Sequence, residues 1–187
     1  MIELNLTYNS IYTWKTVEKV SLIGYAFLNS KLLHEDELIA YFNDIKTEKH
    51  FLEEIKKLSG HFAVIIELED EILASVDFIR TFPILLQKNE TTLTITDQPV
   101  NDIVYNKNAT DDFEKTYCTP ENETLLQNCR QLQAGEYAVI HKSTLATEIK
   151  LYHKHSSNAK TPANTAILKD LENELIQNIK NISAEKT

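Results

Sequence analysis

LSGHFAVIIELEDEILASVDFIRTFPILLQ, Leu58 to Gln87, is the stretch whose reading decides the fold. Phe62 to Ile66 is an unbroken apolar run of strand length, too short for an independent helix and rich in β-branched residues. Glu69-Asp70-Glu71 supplies a polar turn, and Ile72 to Ile79 returns as a second strand. Pro83 ends that return, and Ile84-Leu85-Leu86 opens a third strand. A continuous apolar run implies a strand covered on both faces, so the hairpin belongs in a layered core. Phe62, Val64, Ile66, Leu73 and Phe78 are the residues expected to be buried there.

Working outward, Leu4, Leu6 and Tyr8 alternate as an amphipathic strand at a sheet edge or hairpin, and Val20 to Asn29 is a further strand containing Gly24. Two helices follow, His34 to Ile45 and Thr47 to Leu58, the second ended by Gly60 in the usual C-terminal place. Their charged faces read as solvated surface. Beyond the hairpin come a strand at Leu93 and Ile95, a short helix over Asp111 to Tyr117, and strands at Tyr137 to His141 and Ile149 to Tyr152. Residues 156–165 (SSNAKTPANT) are a linker by composition. After it Ile167, Leu168, Leu171, Leu175, Ile179 and Ile182 recur at helical spacing.

The 187 residues suit one domain with a large core. Nineteen basic against 28 acidic residues give a formal charge of −9, which argues against a nucleic-acid surface. There is no signal peptide or spanning segment, so the expected place is the cytoplasm, with no membrane partner. Cys118 and Cys129 form no metal or redox spacing and read as small buried hydrophobes. Three glycines in the whole chain leave no Gly-rich phosphate loop. His153-x-His155 with His141 lacks a completing carboxylate or cysteine, so no metal and no cofactor is expected.

Leu58-x-Gly60-x-Phe62-Ala63 resembles the L-x-G-x-F-A of the amidotransferase domain of glutamine-dependent asparagine synthetases, a class II (Ntn-type) fold. The family follows it with R-D-x-x-G-x-x-P-L. Asp77 and Pro83 keep their places in that pattern, while Val76 and Arg80 replace its Arg and Gly. Gly24 and Asn29 stand where the Gly and final Asn of an N-G-E-I-Y-N motif would, with Ile23 and Tyr25 replacing its Asn and Glu. Leu132 and Gly135 retain the Leu and Gly of L-P-P-G, and Thr96-Asp97-Gln98 departs from A-S-E. The match runs from roughly residue 20 to 155.

The resemblance implies an α+β, Ntn-hydrolase-like αββα sandwich of two antiparallel sheets flanked by helices, abbreviated at the N-terminus. Residues 1–155 would be a degenerate glutamine amidotransferase type 2-like domain, 156–165 a linker, and 166–187 the first helix of an absent synthetase domain. Gly24 and Asn29 would be remnants of the site, and Gly60, Phe62, Asp77, Pro83 and Gly135 structural members of the motifs.

The implied catalyst is an N-terminal cysteine acting with its own α-amine. Residue 2 is Ile2, and the family's substrate-anchoring arginine and G-S-D-x-E segment have no counterpart. No catalytic residue is therefore expected. The expected role is a structural or regulatory one, a pseudoenzyme domain packed on an ATP-dependent asparagine synthetase-like partner. The 167–182 helix would dock on that partner or pair with a second copy. Two alternatives stand beside this reading: an amino-acid-binding module with a pocket under Gly24 and Asn29, and a glutaminase released by N-terminal processing at Thr7, Ser10 or Thr13.

Overall fold

A computed structural model describes residues 1–8, 10–99, 104–154 and 165–183. Its centre is β5 (Leu58–Glu67), paired antiparallel with β3 (Val20–Leu28) on one side and β6 (Glu71–Val76) on the other. Alternation along β5 sends Phe62, Val64 and Ile66 to one face and Ala63 and Ile65 to the other, and all five are buried. The unbroken apolar run thus serves two cores at once.

The sheet extends through β10 (Glu136–His141) and β11 (Thr147–Leu151) beyond β6. On the other side β2 (Lys15–Val17) and β4 (Lys31–Leu33) share the outer edge of β3, which makes seven strands, every pair antiparallel. Over one face lie α1 (Glu35–Asn43) and α2 (Glu48–Ile55), whose Leu38, Phe42, Phe51 and Ile55 pack on Leu22, Phe62 and Val139. The helix start signals are local: Glu37 accepts from the His34 N–H that precedes α1, and Thr47 accepts from the His50 N–H in α2.

Against the other face packs a second sheet in the order β1 (Ile2–Asn5), β8 (Leu93–Thr96), β7 (Leu85–Lys88), β9 (Cys129–Gln131). Ile84, Leu86, Leu93 and Ile95 interdigitate there with Ile23, Ile65, Ala74 and Ile140. The architecture is therefore α+β, with two packed sheets and a helical layer.

Several boundaries differ from the sequence reading, each for a physical reason. The second sheet is mixed, because β1 runs parallel to β8. The return strand ends at Val76, not Ile79, because the Asp77 carboxylate folds the next residues into a turn. Phe78 is consequently half-buried, stacked on His153 at 4.1 Å. Gly60 does not end α2, which stops at Ile55; it lies inside β5, where an added Cβ would meet the Tyr25 carbonyl oxygen at 2.5 Å and the Ala26 Cα at 2.6 Å. Glycine is needed there for close approach of β3 and β5.

α3 (Lys107–Thr116) starts four residues before the expected Asp111, capped by the Asn106 side chain. Cys118, expected inside, is exposed just beyond it, whereas Cys129 is buried. Glu54 is more than solvated surface, since Tyr41 and Lys57 both donate to it.

The expected terminal helix is present as α4 (Thr165–Ser183), beside β4. Its Leu168, Leu171, Leu175 and Ile179 are 53% to 61% exposed. The linker lies outside the described residues apart from Thr165, as do Asn9 and His155. No described helix is long and apolar enough to cross a membrane.

Candidate functional site

Gly24 sits opposite Phe62 in the β3–β5 register, with φ of +96°. A Cβ there would stand 2.0 Å from the His61 carbonyl oxygen and 2.8 Å from the Phe82 ring, so only glycine lets the strand and the Phe82 loop meet. Beside it opens a cleft of about 430 Å³, lined by Tyr12, Gly24, Tyr25 and the His34–Asp36 corner that begins α1. Its walls are aromatic. Tyr12 and Tyr25 lie 6.0 Å apart between centroids, and each is backed by further rings. Phe82 meets Tyr12 edge-on at 5.7 Å, and Phe27 and His61 meet Tyr25 at 6.0 and 5.4 Å. Burial, then the neighbouring Tyr12, holds the Tyr25 phenol above its ordinary range.

Two buried carboxylates position these walls. Asp97 accepts from the backbone N–H groups of Thr7 (3.0 and 3.1 Å) and Tyr8 (2.6 Å), from the Thr7 hydroxyl (3.3 Å) and from the Trp14 indole (2.7 Å). It ties the segment between β1 and β2 to the end of β8, which lets Tyr8 and Tyr12 reach Phe82. Asp77 accepts from the N–H groups of Phe62 (3.1 Å), Ile79 (2.8 Å) and Thr81 (3.0 Å), and so sets the turn that delivers Phe82. Arg80, where the family pattern has Gly, adopts a left-handed φ of 57° in that turn and donates to the side chains of Gln131 and Gln133. The backbone shape the glycine would supply is thus present.

At the rim, Glu35, Asp36 and Glu37 fill the first turn of α1. Lys15 pairs with Asp36, a contact that raises the Lys15 pKa, and Lys31 pairs with Glu37 at 2.8 Å. Glu37 is lowered in pKa by the Lys31 hydrogen bond and then by the His34 N–H. Glu35 makes no hydrogen bond or ion pair among the described residues.

Of the residues expected from the sequence, the structure brings Gly24, Gly60, Phe62 and Asp77 onto adjoining positions of β3, β5 and the turn after β6. Asn29 lies apart, exposed in the two-residue turn between β3 and β4 with φ of 51°. Pro83 is exposed between the buried Phe82 and Ile84, and Gly135, φ 73°, turns beneath the His153 carbonyl. Thr7, a candidate for unmasking by processing, has its hydroxyl and its N–H engaged with Asp97. His141 lies by Glu71 and Glu148 and lines no cluster of metal-ligating residues among the described residues.

Sequence reasoning missed Asp97, the two tyrosines and the acidic corner. The close recurrence of Tyr8, Tyr12, Trp14, Tyr25 and Phe27 was the available signal. A second cleft, about 720 Å³ and floored by Leu86, Leu93 and Leu145, holds none of the expected site residues.

No family description matches the chain, and no curated protein matches it. Among solved structures it is similar to the allosteric regulatory enzyme of purine biosynthesis, with 13% identity, 73% of this chain and 29% of that chain covered, and a TM-score of 0.43. It is also similar to the glutamine phosphoribosylpyrophosphate amidotransferase from B. subtilis complexed with ADP and GMP, with 12% identity, 78% and 32% coverage, and a TM-score of 0.43. The chain spans about a third of the length of these proteins or less.

Proposed function

We propose that this chain is a non-catalytic domain of the class II glutamine amidotransferase type, belonging to an asparagine synthetase-like protein of the cytoplasm. Its role is to pack on an ATP-dependent synthetase domain and shape the entrance to that domain's site. The observation that carries the loss of catalysis is the placement of sulfur. Glutamine hydrolysis of this type needs a thiol beside an α-amine and an oxyanion donor at the substrate. Neither thiol lines the Gly24 cleft: Cys118 is exposed beyond α3, and Cys129 is buried in β9, where burial pushes its pKa up. Ile23, in place of the motif's oxyanion Asn, is fully buried between the sheets. The Met1 amine donates to the Thr91 carbonyl at 2.7 Å and lines no part of that cleft.

The exposed leucines of α4 support the packing role, since a helix face of that kind is ordinarily covered. The test is glutamate release by the purified chain beside an Ile2→Cys variant with Met1 removed. Neither is expected to turn over, because elements of a catalytic unit act together. Turnover by the unmodified chain above a heat-treated control defeats the proposal.

The cleft favours a second reading, an amino-acid-binding module without chemistry. A thermal shift with glutamine, asparagine and glutamate separates it from a pure scaffold, because binding the native state alone raises the melting temperature.

A further inference from the structure

We infer that the Gly24 cleft takes a small organic cation, an alkylammonium or guanidinium group; this rests on the binding reading of that cleft. Three observations converge. First, the Tyr12 and Tyr25 rings line the cleft and are braced from behind by Phe82, Phe27 and His61. A cation within about 6 Å of a ring centroid is attracted by the negative ring face, more strongly when water is excluded.

Second, the acids at the rim are unequal. The amide ends of a helix N-terminus would by themselves draw an anion, but three carboxylates occupy that turn. Two of them are matched by lysines, Asp36 by Lys15 and Glu37 by Lys31. The third, Glu35, is half-buried, lines the cleft, and makes no hydrogen bond or ion pair among the described residues; it feels the Lys15 ammonium only at longer range. A carboxylate that accepts hydrogen bonds beside aromatic rings favours a cationic donor over a neutral amide and disfavours an anion. Third, a cation already sits at this corner: the Lys15 ammonium on Asp36. The cleft's volume of about 430 Å³ falls within the range of small-molecule sites.

The chain's −9 charge favours the same class of ligand.

The test uses the full chain with n-butylguanidinium and n-butylammonium as probes, n-butylurea as the neutral isostere, and glutamine as the amide comparator. Binding is followed by calorimetry and by amide NMR. Both cations are expected to shift the Gly24, Tyr25 and Glu35 amides and to bind about tenfold or more tighter than the urea. Glu35→Gln should bring the cations down to the urea's level, and Tyr12→Leu should weaken them while Tyr12→Phe retains them. Lys15→Gln should tighten them by removing the resident cation. Dispersed amide spectra verify that each variant is folded.

Equal binding of the urea, or shifts with glutamine and not with the cations, overturns the cation inference and leaves the binding reading standing. Absence of shifts at these amides with every probe overturns both.

Discussion

Asp77 and Asp97 are both almost completely buried, 1% and 5% exposed, and no ion pair holds either among the described residues. Each is compensated by dipoles instead: three backbone N–H groups for Asp77, and two N–H groups, a hydroxyl and an indole for Asp97. They differ in reach. The partners of Asp77 are 2, 4 and 15 residues away in the chain, whereas those of Asp97 are 83 to 90 residues away. One carboxylate shapes the turn that leads from β6 towards β7 in the other sheet. The other joins the segment after β1 to the distant end of β8. Buried charge in this molecule is a fastener for loops, and the aromatic cleft exists because two such fasteners meet at Phe82.

Replacing Asp77 by Ala is the harshest way to probe that contrast. It strands three N–H donors, one of them inside β5, and should cost about 3 kcal/mol in chemical denaturation. A loss below that of Asp97→Ala would show that local turns, not long ties, are the dispensable ones. Asp97→Ala should cost about 2 kcal/mol, since the freed segment can reach water, and should red-shift the emission of Trp14, the sole tryptophan. Unchanged emission would break the picture of Asp97 as the long tie. Trp14→Phe removes a single donor and keeps the ring, so about 1 kcal/mol is expected. An effect as large as that of Asp97→Ala would place the whole tie in the indole.

The contrast also explains what could be read from the sequence. The β3–β5–β6 meander was legible because Phe62 to Ile66 carry a local signal, an apolar run with no polar face. Asp77 was legible for the same reason, as part of a short pattern. Asp97 was not, because its function is defined by residues some ninety positions away, which no window along the chain contains. Gly60 was misplaced because a glycine shortly after a helical pattern looks like a cap, while its true demand comes from Tyr25 and Ala26 across the sheet. The parallel pairing of β1 was hidden for a similar reason, since alternation in Leu4, Leu6 and Tyr8 specifies a face and says nothing of direction. Of the cleft, Gly24 was found and its aromatic walls were not. Their rings converge from β3 and from the segment before β2 only after both sheets are packed.

The pairing of Ile2 with Leu93 has a further consequence for how the chain is made. Synthesis delivers β1 to the ribosome exit long before β8, so β1 must wait unpaired while some ninety residues follow it. The hairpins of β3, β5 and β6 need no such wait, for each partner emerges soon after the last. β1 is therefore among the last of these strands to settle. A nascent chain stalled before Leu93 would hold β2 to β6 with α1 and α2, still without β10 and β11, and a loose, adhesive β1.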